Sequence, residues 1–344
     1  MMDVLSDTLK VVRLAGSLFF SARIAAPWCA ESPGREVYAR LLNSSAEYIT
    51  VFHIMVAGTC WIAPLGRPGF SVAAGDLVIF PHADAHRLGS HPEADPSADV
   101  SQQVLRVVRE GSGSGAIPHL DAGDGHEATE FVCGYLESNQ RFNPLIGSLP
   151  TTLLVRSAHG AGPGEPEAGE ELLERQVVRA EPGDILDSTL RHTVAEARAA
   201  RPGGEAMLAR LTELIYVEVL RRYMQQLPVE HAGWLAALRD PVVGAVLQLM
   251  HAHPERPWTV EELAEAVALS RSGLAQRFTD LVGESPMHYL YGWRMQVAKY
   301  LLSQTTLRVS AIAERTGYES EAAFSRAFKR AVGQPPGVWR ELAS

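Results

Sequence analysis

The sequence predicts an α+β protein in which a strand-rich N-terminal part precedes an all-α C-terminal part with two helix-turn-helix units. Three observations lead to this prediction. Short apolar runs up to about residue 155 alternate with Gly, Pro and Asp clusters, which is typical of strands. From residue 205 onward the apolar residues follow helical spacing instead. Finally, a two-helix pattern occurs twice near the C-terminus.

The N-terminal part contains apolar runs bounded by turn residues, which are the strand candidates, at 47–56, 76–80 and 131–136. Other segments are poor in apolar residues and rich in Gly, Pro, Ala and acidic residues. These are expected to be loops or flexible insertions, at 91–98, 111–126 and 160–169.

Residues 205–227 carry helically spaced apolar residues without a proline, which predicts one long helix. The surrounding region, 161–239, is therefore interpreted as a helical linker that also contains the flexible insertion. Its apolar face is wider than a strict coiled-coil seam, so we expect part of it to pack on the N-terminal part. The rest can pair two subunits, which predicts a homodimer.

The net charge of −9 is distributed unevenly along the chain. Residues 1–240 contain 20 Lys and Arg against 30 Asp and Glu, whereas residues 241–344 contain 11 against 10. The C-terminal part is thus nearly neutral. If it binds nucleic acid, the binding face must come from the local placement of its arginines.

Only three cysteines occur, Cys29, Cys60 and Cys133, and this sparse, odd number does not suit a secreted disulfide framework. The first ten residues lack the basic and apolar pattern of a signal peptide. No apolar run of about 18 residues suggests a membrane span. These features predict a cytoplasmic protein that does not bind membranes.

Helix-start signals punctuate the C-terminal part. Asp240 before Pro241 predicts a helix over 242–251. Thr259 and Glu262 have the spacing of a capping box, in which each side chain bonds the other's backbone amide.

An internal repeat of fifty residues is the most informative feature of the chain. Six positions of the first copy recur in the second, and they are Ser270, Leu274, Phe278, Val282, Gly283 and Pro286 against Ser320, Phe324, Phe328, Val332, Gly333 and Pro336. Each copy predicts a short helix, a turn, a Ser-capped helix and a Gly/Pro stop, which is the helix-turn-helix arrangement.

Polar residues cluster near the start of each second helix, where helix-turn-helix proteins contact DNA. The candidate DNA-binding residues are Arg271, Ser272, Gln276, Arg277, Ser320, Glu321, Ser325, Arg326, Lys329 and Arg330. These side chains can bond to phosphates or base edges. The alternative is a plain helical bundle with a duplicated hairpin.

This part of the chain resembles the AraC family of transcriptional regulators. The resemblance rests on WTVEELAEAVALSRSGLAQRF, VGESPMHYLYGWRMQVAKYLL, VSAIAERTGYESEAAFSRAFKR and VGQPPGVWR. It implies a DNA-binding domain over 240–344, with reading helices at 270–281 and 320–331 and a linking helix at 287–302. It also implies duplex DNA as a partner, with RNA polymerase as a further partner of an activator or repressor. Ala275 and Ala322 replace larger polar residues of some family members.

The run Gly75–His86, GDLVIFPHADAH, reads as a strand that ends in a Pro-led turn and presents a histidine. FHIMVAGTCW places His53 on an earlier strand. Together these segments resemble the cupin domain that precedes the DNA-binding domain in some AraC-type regulators. The resemblance implies a cupin-like β-barrel and a sensor domain over 1–160, responsive to an unknown small molecule, metal or redox signal.

A cupin metal site normally begins with a His-x-His pair, and here Ile54 and Met55 follow His53. We therefore expect no enzymatic activity. However, Cys29, His53, His86 and Cys133 are ligand types that suit zinc, so they form a candidate metal or redox site. Oxidation could cross-link Cys29 to Cys133. The alternatives are ordinary buried side chains, or a small apolar effector in the barrel mouth.

Three functions remain open at this point. The first is a sequence-specific transcriptional regulator controlled by the N-terminal barrel. The second is a cupin metal-dependent enzyme with an accessory helical domain. The third is an architectural DNA-binding protein without a sensor, which predicts equal affinity for any duplex.

Overall fold

The computed structural model describes residues 3–11, 20–42, 46–93, 96–110, 118–138, 142–158, 175–199, 201–228 and 231–343. The predicted insertion at 160–169 lies outside these residues. The chain divides into two compact units. The sheet unit comprises Leu14–Asn139 and Leu149–Gln226, and the helical unit comprises Met1–Arg13, Gln140–Ser148 and Leu227–Ser344.

The described strands all belong to the sheet unit. They are β1 (Phe20–Ala25), β2 (Cys29–Ser32), β3 (Tyr48–Ala57), β4 (Thr59–Pro64), β5 (Phe70–Ala73), β6 (Leu77–Phe80), β7 (His86–Gly89), β8 (His119–Ala122), β9 (Ala128–Ser138), β10 (Thr152–Arg156) and β11 (Arg175–Arg179).

The described helices are α1 (Val4–Val11), α2 (Arg35–Leu41), α3 (Ser101–Glu110), α4 (Pro144–Gly147), α5 (Ile185–Ala199), α6 (Gly204–Gln226), α7 (Trp234–Arg239), α8 (Val243–Ala252), α9 (Val260–Ala266), α10 (Arg271–Val282), α11 (Pro286–Gln304), α12 (Val309–Arg315), α13 (Glu321–Val332) and α14 (Pro336–Ala343). A 3₁₀ turn covers Pro96–Ala98.

The described strands of the sheet unit form two sheets. The larger has seven strands in the order β11-β10-β6-β3-β9-β1-β8, and the smaller has four in the order β2-β7-β4-β5. Pairing is antiparallel except for the parallel pairs β1 with β8 and β10 with β11. The hydrophobic core lies between the sheets, where Val51 and Met55 of β3 join Ile62 and Leu88 of the smaller sheet.

The central strand β3 is buried along nearly its whole length. Successive side chains of a strand point to opposite faces, so one set enters the core between the sheets. The other set, which includes Phe52 and Ile54, lies near Ile215 and Tyr216 of α6 on the outer face. Burial on both faces explains why 47–56 reads as a nearly continuous apolar run.

The turn before β6 depends on Gly75 and Asp76. Gly75 has φ +91°, and an added Cβ there would lie 2.7 Å from Ser157 Oγ. The buried Asp76 carboxylate accepts hydrogen bonds from Ala73 N, Ser157 N and Arg156 Nη1, the last at 2.7 Å. This corner fixes the start of the segment that carries His86.

The helical unit is built around α8 and α11. Trp234 Nε1 donates to Tyr289 Oη at 2.9 Å, and because an indole N–H only donates, the Tyr289 hydroxyl in turn donates to His251 Nε2 at 2.8 Å. The His251 ring stacks on Trp293 at 3.7 Å between centroids. These contacts join α7, α8 and α11. The N-terminal helix α1 packs on α8 and α11 in the same unit.

The structure confirms the predicted α+β organisation and the long helix, which is α6. The interpretation of residues up to 155 as strands was incomplete, since α1 to α4 also lie there. Residues 111–117 of the predicted loop 111–126 lie outside the described residues, and its described part contains β8. That strand is a half-exposed sheet edge with little apolar content, so it lacks the signature of a buried strand.

Candidate nucleic-acid interface and buried His–Cys cluster

The two predicted reading helices have the same local geometry. Ser270 Oγ accepts a hydrogen bond from Gly273 N at 3.1 Å at the start of α10, and Ser320 Oγ accepts one from Ala323 N at 3.2 Å at the start of α13. Each helix ends at a left-handed glycine, Gly283 with φ +87° or Gly333 with φ +88°. Glycine tolerates this conformation, which stops a helix. The fifty-residue repeat is therefore structural.

A shorter helix precedes each reading helix. Helix α9 starts with the predicted capping box, in which Thr259 Oγ1 accepts from Glu262 N at 3.1 Å and Glu262 Oε2 accepts from Thr259 N at 2.9 Å. Helix α12 occupies the equivalent position in the second helix-turn-helix unit. It buries Ile312 and Ala313 where α9 buries Leu263 and Ala264.

The predicted contact residues are on the surface of the two reading helices. All are exposed except Ser325, which is half-buried. The apolar residues of the same helices point inward, and Leu274, Phe278, Phe324 and Phe328 have no exposed surface. Each reading helix thus has an apolar face in the core and a polar face toward solvent.

The cations of the two helices differ in their surroundings. On α10, Arg271 Nε lies 2.9 Å from Glu261 Oε1, and Arg277 Nη2 lies 2.6 Å from Asp240 Oδ2. On α13, Arg326 and Lys329 make no side-chain hydrogen bond or ion pair among the described residues, and Arg330 lies over the Tyr291 ring at 5.6 Å. The α13 cations are therefore available to phosphate without breaking an ion pair, whereas those of α10 are not.

Asp240 also holds the start of α8, because Oδ1 accepts from Val242 N at 3.0 Å and Val243 N at 2.8 Å. Burial alone would raise the pKa of Asp240, but hydrogen bonds from Arg277 and from these two amides lower it overall. Arg277, which is also a predicted DNA contact, therefore links α10 to the start of α8.

The candidate sensor residues lie inside the sheet unit. His53 of β3 is the cross-strand partner of Cys133 on β9, and His53 Nδ1 lies 2.6 Å from Cys133 Sγ. His86 begins β7 in the opposite sheet, and its Nε2 lies 2.7 Å from His53 Nε2. His86 Nδ1 lies 2.8 Å from the carbonyl oxygen of Asp84. The His86 ring stacks on Phe80 at 3.7 Å.

The Asp84 carbonyl sets the direction of this hydrogen-bond chain. A carbonyl only accepts, so the proton of neutral His86 is on Nδ1 and its Nε2 must accept. The proton of His53 is then on Nε2, and its Nδ1 accepts from the Cys133 thiol. The chain therefore runs from the Cys133 S–H through His53 and His86 to the backbone.

Burial keeps every member of the chain neutral. It lowers the pKa of His86 to about 4 and lowers that of His53 well below its ordinary value, where the neighbouring His86 adds to the effect. Burial also raises the pKa of the Cys133 thiol well above its ordinary value. Since the thiolate is the reactive form of cysteine, Cys133 is held in its unreactive form.

Cys29, the fourth residue of the predicted metal or redox site, does not belong to this hydrogen-bond chain. Ala30 and Ser32 of β2 are buried, whereas Glu31 is exposed and Cys29 only half-buried, so strand alternation turns Cys29 to the face opposite Ala30 and Ser32. This hydrogen-bond chain does not fit zinc either, because Cys133 and His86 face different nitrogens of the His53 ring. No group of three or more His, Cys, Asp or Glu side chains among the described residues is arranged to hold a metal ion.

A small, mostly apolar cavity lies between the sheets, next to the hydrogen-bond chain of Cys133, His53 and His86. Apolar side chains of both sheets and of α3 line it, including Phe20, Trp28, Leu88, Val108 and Phe131. Its buried polar corner is formed by Cys133, His53 and the pair Tyr38 and Ser32, whose hydroxyl oxygens are 2.8 Å apart, and the exposed Glu31 also lines the cavity. Burial raises the pKa of Tyr38, so this phenol is also neutral.

The chain matches two protein families. The Cupin family matches residues 3–184 and 170–225, and the Helix-turn-helix domain family matches residues 263–342. An AraC-like transcription regulator of Streptomyces lividans is 43% identical over 99% of this chain and 98% of its own length. One from Streptomyces antibioticus is 44% identical over 99% of both. The chain belongs to the AraC-like transcription regulators.

Among solved structures, the C-terminal domain of AraT, a response regulator from Geobacillus stearothermophilus, is 35% identical to the matching part of this AraC-like chain. That match covers 30% of this chain and 86% of the other, with a TM-score of 0.29. The family matches confirm the predicted resemblance to AraC-type regulators and to the cupin domain. No described helix of this regulator is both long and apolar enough to cross a membrane.

The sequence missed two residues that hold the helical unit together, Arg294 of α11 and Gly317 of the turn after α12. Arg294 is the only arginine on α11, and the available signal was an arginine between two apolar residues, Trp293 and Met295, of the predicted linking helix. For Gly317 the sequence offers only the general signal of a glycine that ends a helix.

Proposed function

We propose that this AraC-like regulator recognises a specific duplex site by placing α10 and α13 in successive major-groove segments. The observation that supports this most directly is the pair of equivalent, Ser-capped helices, each with an apolar inner face and an exposed polar face. Major-groove segments on one side of a duplex recur about every 34 Å. Two connected reading helices can therefore read two neighbouring segments.

A gel shift with duplex DNA from the region upstream of the chain's own gene tests this proposal. An unrelated duplex of equal length is the control, and both are measured at the same stated salt concentration because phosphate contacts are salt-dependent. We expect at least about tenfold tighter binding of the upstream duplex, or about 1.4 kcal/mol. Equal binding of both duplexes would support the architectural alternative instead.

We further infer that the cupin domain senses a small, mostly apolar effector rather than a metal or an oxidant. Three features support this inference: the apolar lining of the cavity, its neutral polar corner, and the protonated state of Cys133. Catalysis is not proposed, since the second histidine of the cupin pair is replaced by the fully buried Met55, which cannot serve as an oxygen- or nitrogen-donor ligand.

The effector inference is tested with 1-hexanol as an apolar probe that carries one hydroxyl. A molecule that binds only the folded state raises the melting temperature. We expect a rise for the wild-type protein and none for Ala30→Phe, which fills the cavity. The same shift in both proteins would place the probe elsewhere and contradict the inference.

We also propose a homodimer formed by antiparallel pairing of two α6 helices. Met207 and Leu214 on its outer face are 51% and 41% exposed. In an antiparallel pair centred on Leu214, symmetry places the two Leu214 side chains against each other and Leu211 opposite Val217 of the second copy. Apolar side chains then face each other, so this part of the surface is complementary to itself, as a two-fold interface requires.

A further inference from the structure

Arg294 of α11 binds the loop that precedes the first helix-turn-helix unit. Its Nε donates to the carbonyl oxygen of Pro254 and its Nη2 donates to that of Arg256, both at 2.7 Å. The planar guanidinium therefore bridges two backbone acceptors, a geometry that a single lysine ammonium does not reproduce. Burial lowers the pKa of Arg294, although an arginine remains charged at any physiological pH.

The turn of the second helix-turn-helix unit packs against the same guanidinium. Gly317 has φ +77°, and an added Cβ there would lie 2.7 Å from Arg294 Nη2 and 2.8 Å from the carbonyl oxygen of Glu255. Both distances are shorter than any real Cβ contact. Gly317 therefore permits the turn to touch the loop and Arg294 together.

On the side of the first helix-turn-helix unit, the contacts of Arg294 with the loop continue into the start of α9. The Arg256 guanidinium lies 3.9 Å from the centre of the Trp258 ring, and Arg256 Nη2 lies 3.5 Å from Glu262 Oε1. Glu262 is the capping-box residue that holds Thr259 at the start of α9.

On the side of the second helix-turn-helix unit, the contacts of Arg294 with the Gly317 turn continue into α13. Tyr318 follows Gly317, and its ring packs edge-on against Phe324 of α13 at 5.6 Å between centroids. Phe324 is buried in the core of the second unit. A continuous set of contacts thus runs from the capped start of α9 through Arg294 to the second reading helix.

We propose that Arg294 is a positioning residue that fixes the orientation of the two helix-turn-helix units relative to each other, and thereby the spacing of DNA half-sites that the protein accepts. This inference rests on the proposed DNA recognition by α10 and α13. Arg294 does not contact DNA in this proposal. It acts through the loop carbonyls and the Gly317 turn.

The physical consequence concerns spacing rather than affinity alone. One added base pair moves a half-site by about 3.4 Å and rotates it by about 34°, since a turn of B-form DNA has about 10.5 base pairs in about 36 Å. A rigid pair of reading helices cannot follow this displacement without losing contacts. A pair that has lost its connection can adapt to it.

The test uses the full-length protein and a duplex selected by it from a random-sequence pool. A second duplex contains one extra base pair between the two half-sites, which footprinting locates. For the wild-type protein we expect the insertion to reduce affinity at least about tenfold, or about 1.4 kcal/mol. For Arg294→Ala we expect a reduction of less than about threefold. Arg294→Lys should lie between the two.

Arg340→Ala is the matched control. Arg340 of α14 donates to the carbonyl oxygens of Leu302 at 3.3 Å and Leu307 at 2.6 Å, so it also bridges two backbone acceptors. These acceptors, however, lie at the end of α11 and just before α12, and neither belongs to the first unit. We expect Arg340→Ala to retain the full spacing penalty even if its overall affinity falls.

Three outcomes would overturn the inference: an unchanged spacing penalty in Arg294→Ala, a wild-type protein that tolerates the insertion, or loss of the penalty in Arg340→Ala as well. If Arg294→Ala does not fold by circular dichroism, Gly317→Ala replaces it, and an unchanged spacing preference there overturns the inference. Failure of the wild-type protein to select any sequence would instead overturn the proposed function, and this inference with it.

Discussion

The Arg277 guanidinium donates hydrogen bonds to the Asp240 carboxylate from both Nε, at 3.3 Å, and Nη2, at 2.6 Å. This pair links the first reading helix, α10, to the start of α8. Bidentate pairs of this kind combine charge with fixed geometry. The Asp240 carboxylate is mostly buried, with 14% of its side chain exposed. The pair is therefore a structural contact at the edge of the candidate DNA surface.

Arg277→Ala should lower the melting temperature of the protein. The substitution removes one charged partner of the Asp240 carboxylate, which keeps its two backbone amide donors, so we expect a cost on the order of 1 kcal/mol. Differential scanning fluorimetry measures the change, and Gln276→Ala, on the neighbouring exposed position of α10, is the control. A melting temperature equal to that of the control variant would show that the pair contributes nothing to stability.

Arg326→Ala should weaken DNA binding without changing the melting temperature. Arg326 is exposed on α13 and makes no ion pair among the described residues, so we expect its truncation to change stability by less than about 0.5 kcal/mol. If it contacts a base, the loss is about 1–3 kcal/mol and specificity relaxes at that position. If it contacts a phosphate, binding weakens equally for all sequences. Titration of the upstream duplex measures both effects, and unchanged affinity would remove Arg326 from the DNA surface.

Much of the helical unit could be predicted from the sequence because its signals are local. Ser270, Ser320 and the Thr259–Glu262 box act within three residues of their own positions, so the pattern alone identifies the helix starts. The contacts of Arg294 could not be predicted in this way. Its acceptors lie about forty residues away in sequence, and only the packing of α11 brings them together.

The candidate His–Cys site was predicted only in part, because its contacts are long-range. His53 and Cys133 meet through the pairing of β3 with β9, and His86 reaches His53 from the smaller sheet. Cys29 does not join them, since its orientation depends on a single-residue register of β2 against β7, and a shift of one residue reverses the face of every side chain.

The stability of the sheet unit should fall as the pH drops below about 6.5. The pKa of His86 is lowered by burial from 6.5 to about 4, so between these values the unfolded chain binds a proton that the folded chain excludes. Stability is therefore complete above about pH 6.5 and declines toward pH 4. Each pKa unit corresponds to about 1.4 kcal/mol, which gives a loss of about 2 kcal/mol for His86 alone between about pH 7.5 and about pH 5.

Urea unfolding at these two pH values, followed by a probe in the sheet unit, measures the loss. His86→Gln is the matched variant, since an amide can replace both hydrogen bonds of His86 but does not titrate. Its pH dependence should be smaller than that of the wild-type protein, although His53 still contributes. Equal pH dependence in both proteins would show that His86 is not the titrating group.

Cys133→Ala should destabilise the protein more than Cys133→Ser. The alanine leaves the buried Nδ1 of His53 without a donor, which costs about 1–3 kcal/mol, whereas the serine hydroxyl still donates. Thermal unfolding compares the two. In the wild-type protein, mass spectrometry after alkylation should show modification of the half-buried Cys29 before the buried Cys60 and Cys133. Rapid alkylation of Cys133 would contradict the neutral, protected thiol.

Leu214→Glu should dissociate the proposed homodimer. The substitution places two carboxylates against each other at the centre of the antiparallel α6 pair, where their repulsion and desolvation oppose association. We expect the dissociation constant to rise at least about tenfold, or about 1.4 kcal/mol, as measured by light scattering across a range of protein concentrations. Leu65→Glu, at a 62% exposed position outside α6, is the control and should remain dimeric. If Leu214→Glu retains the wild-type mass at every concentration, the α6 surface is not the dimer interface.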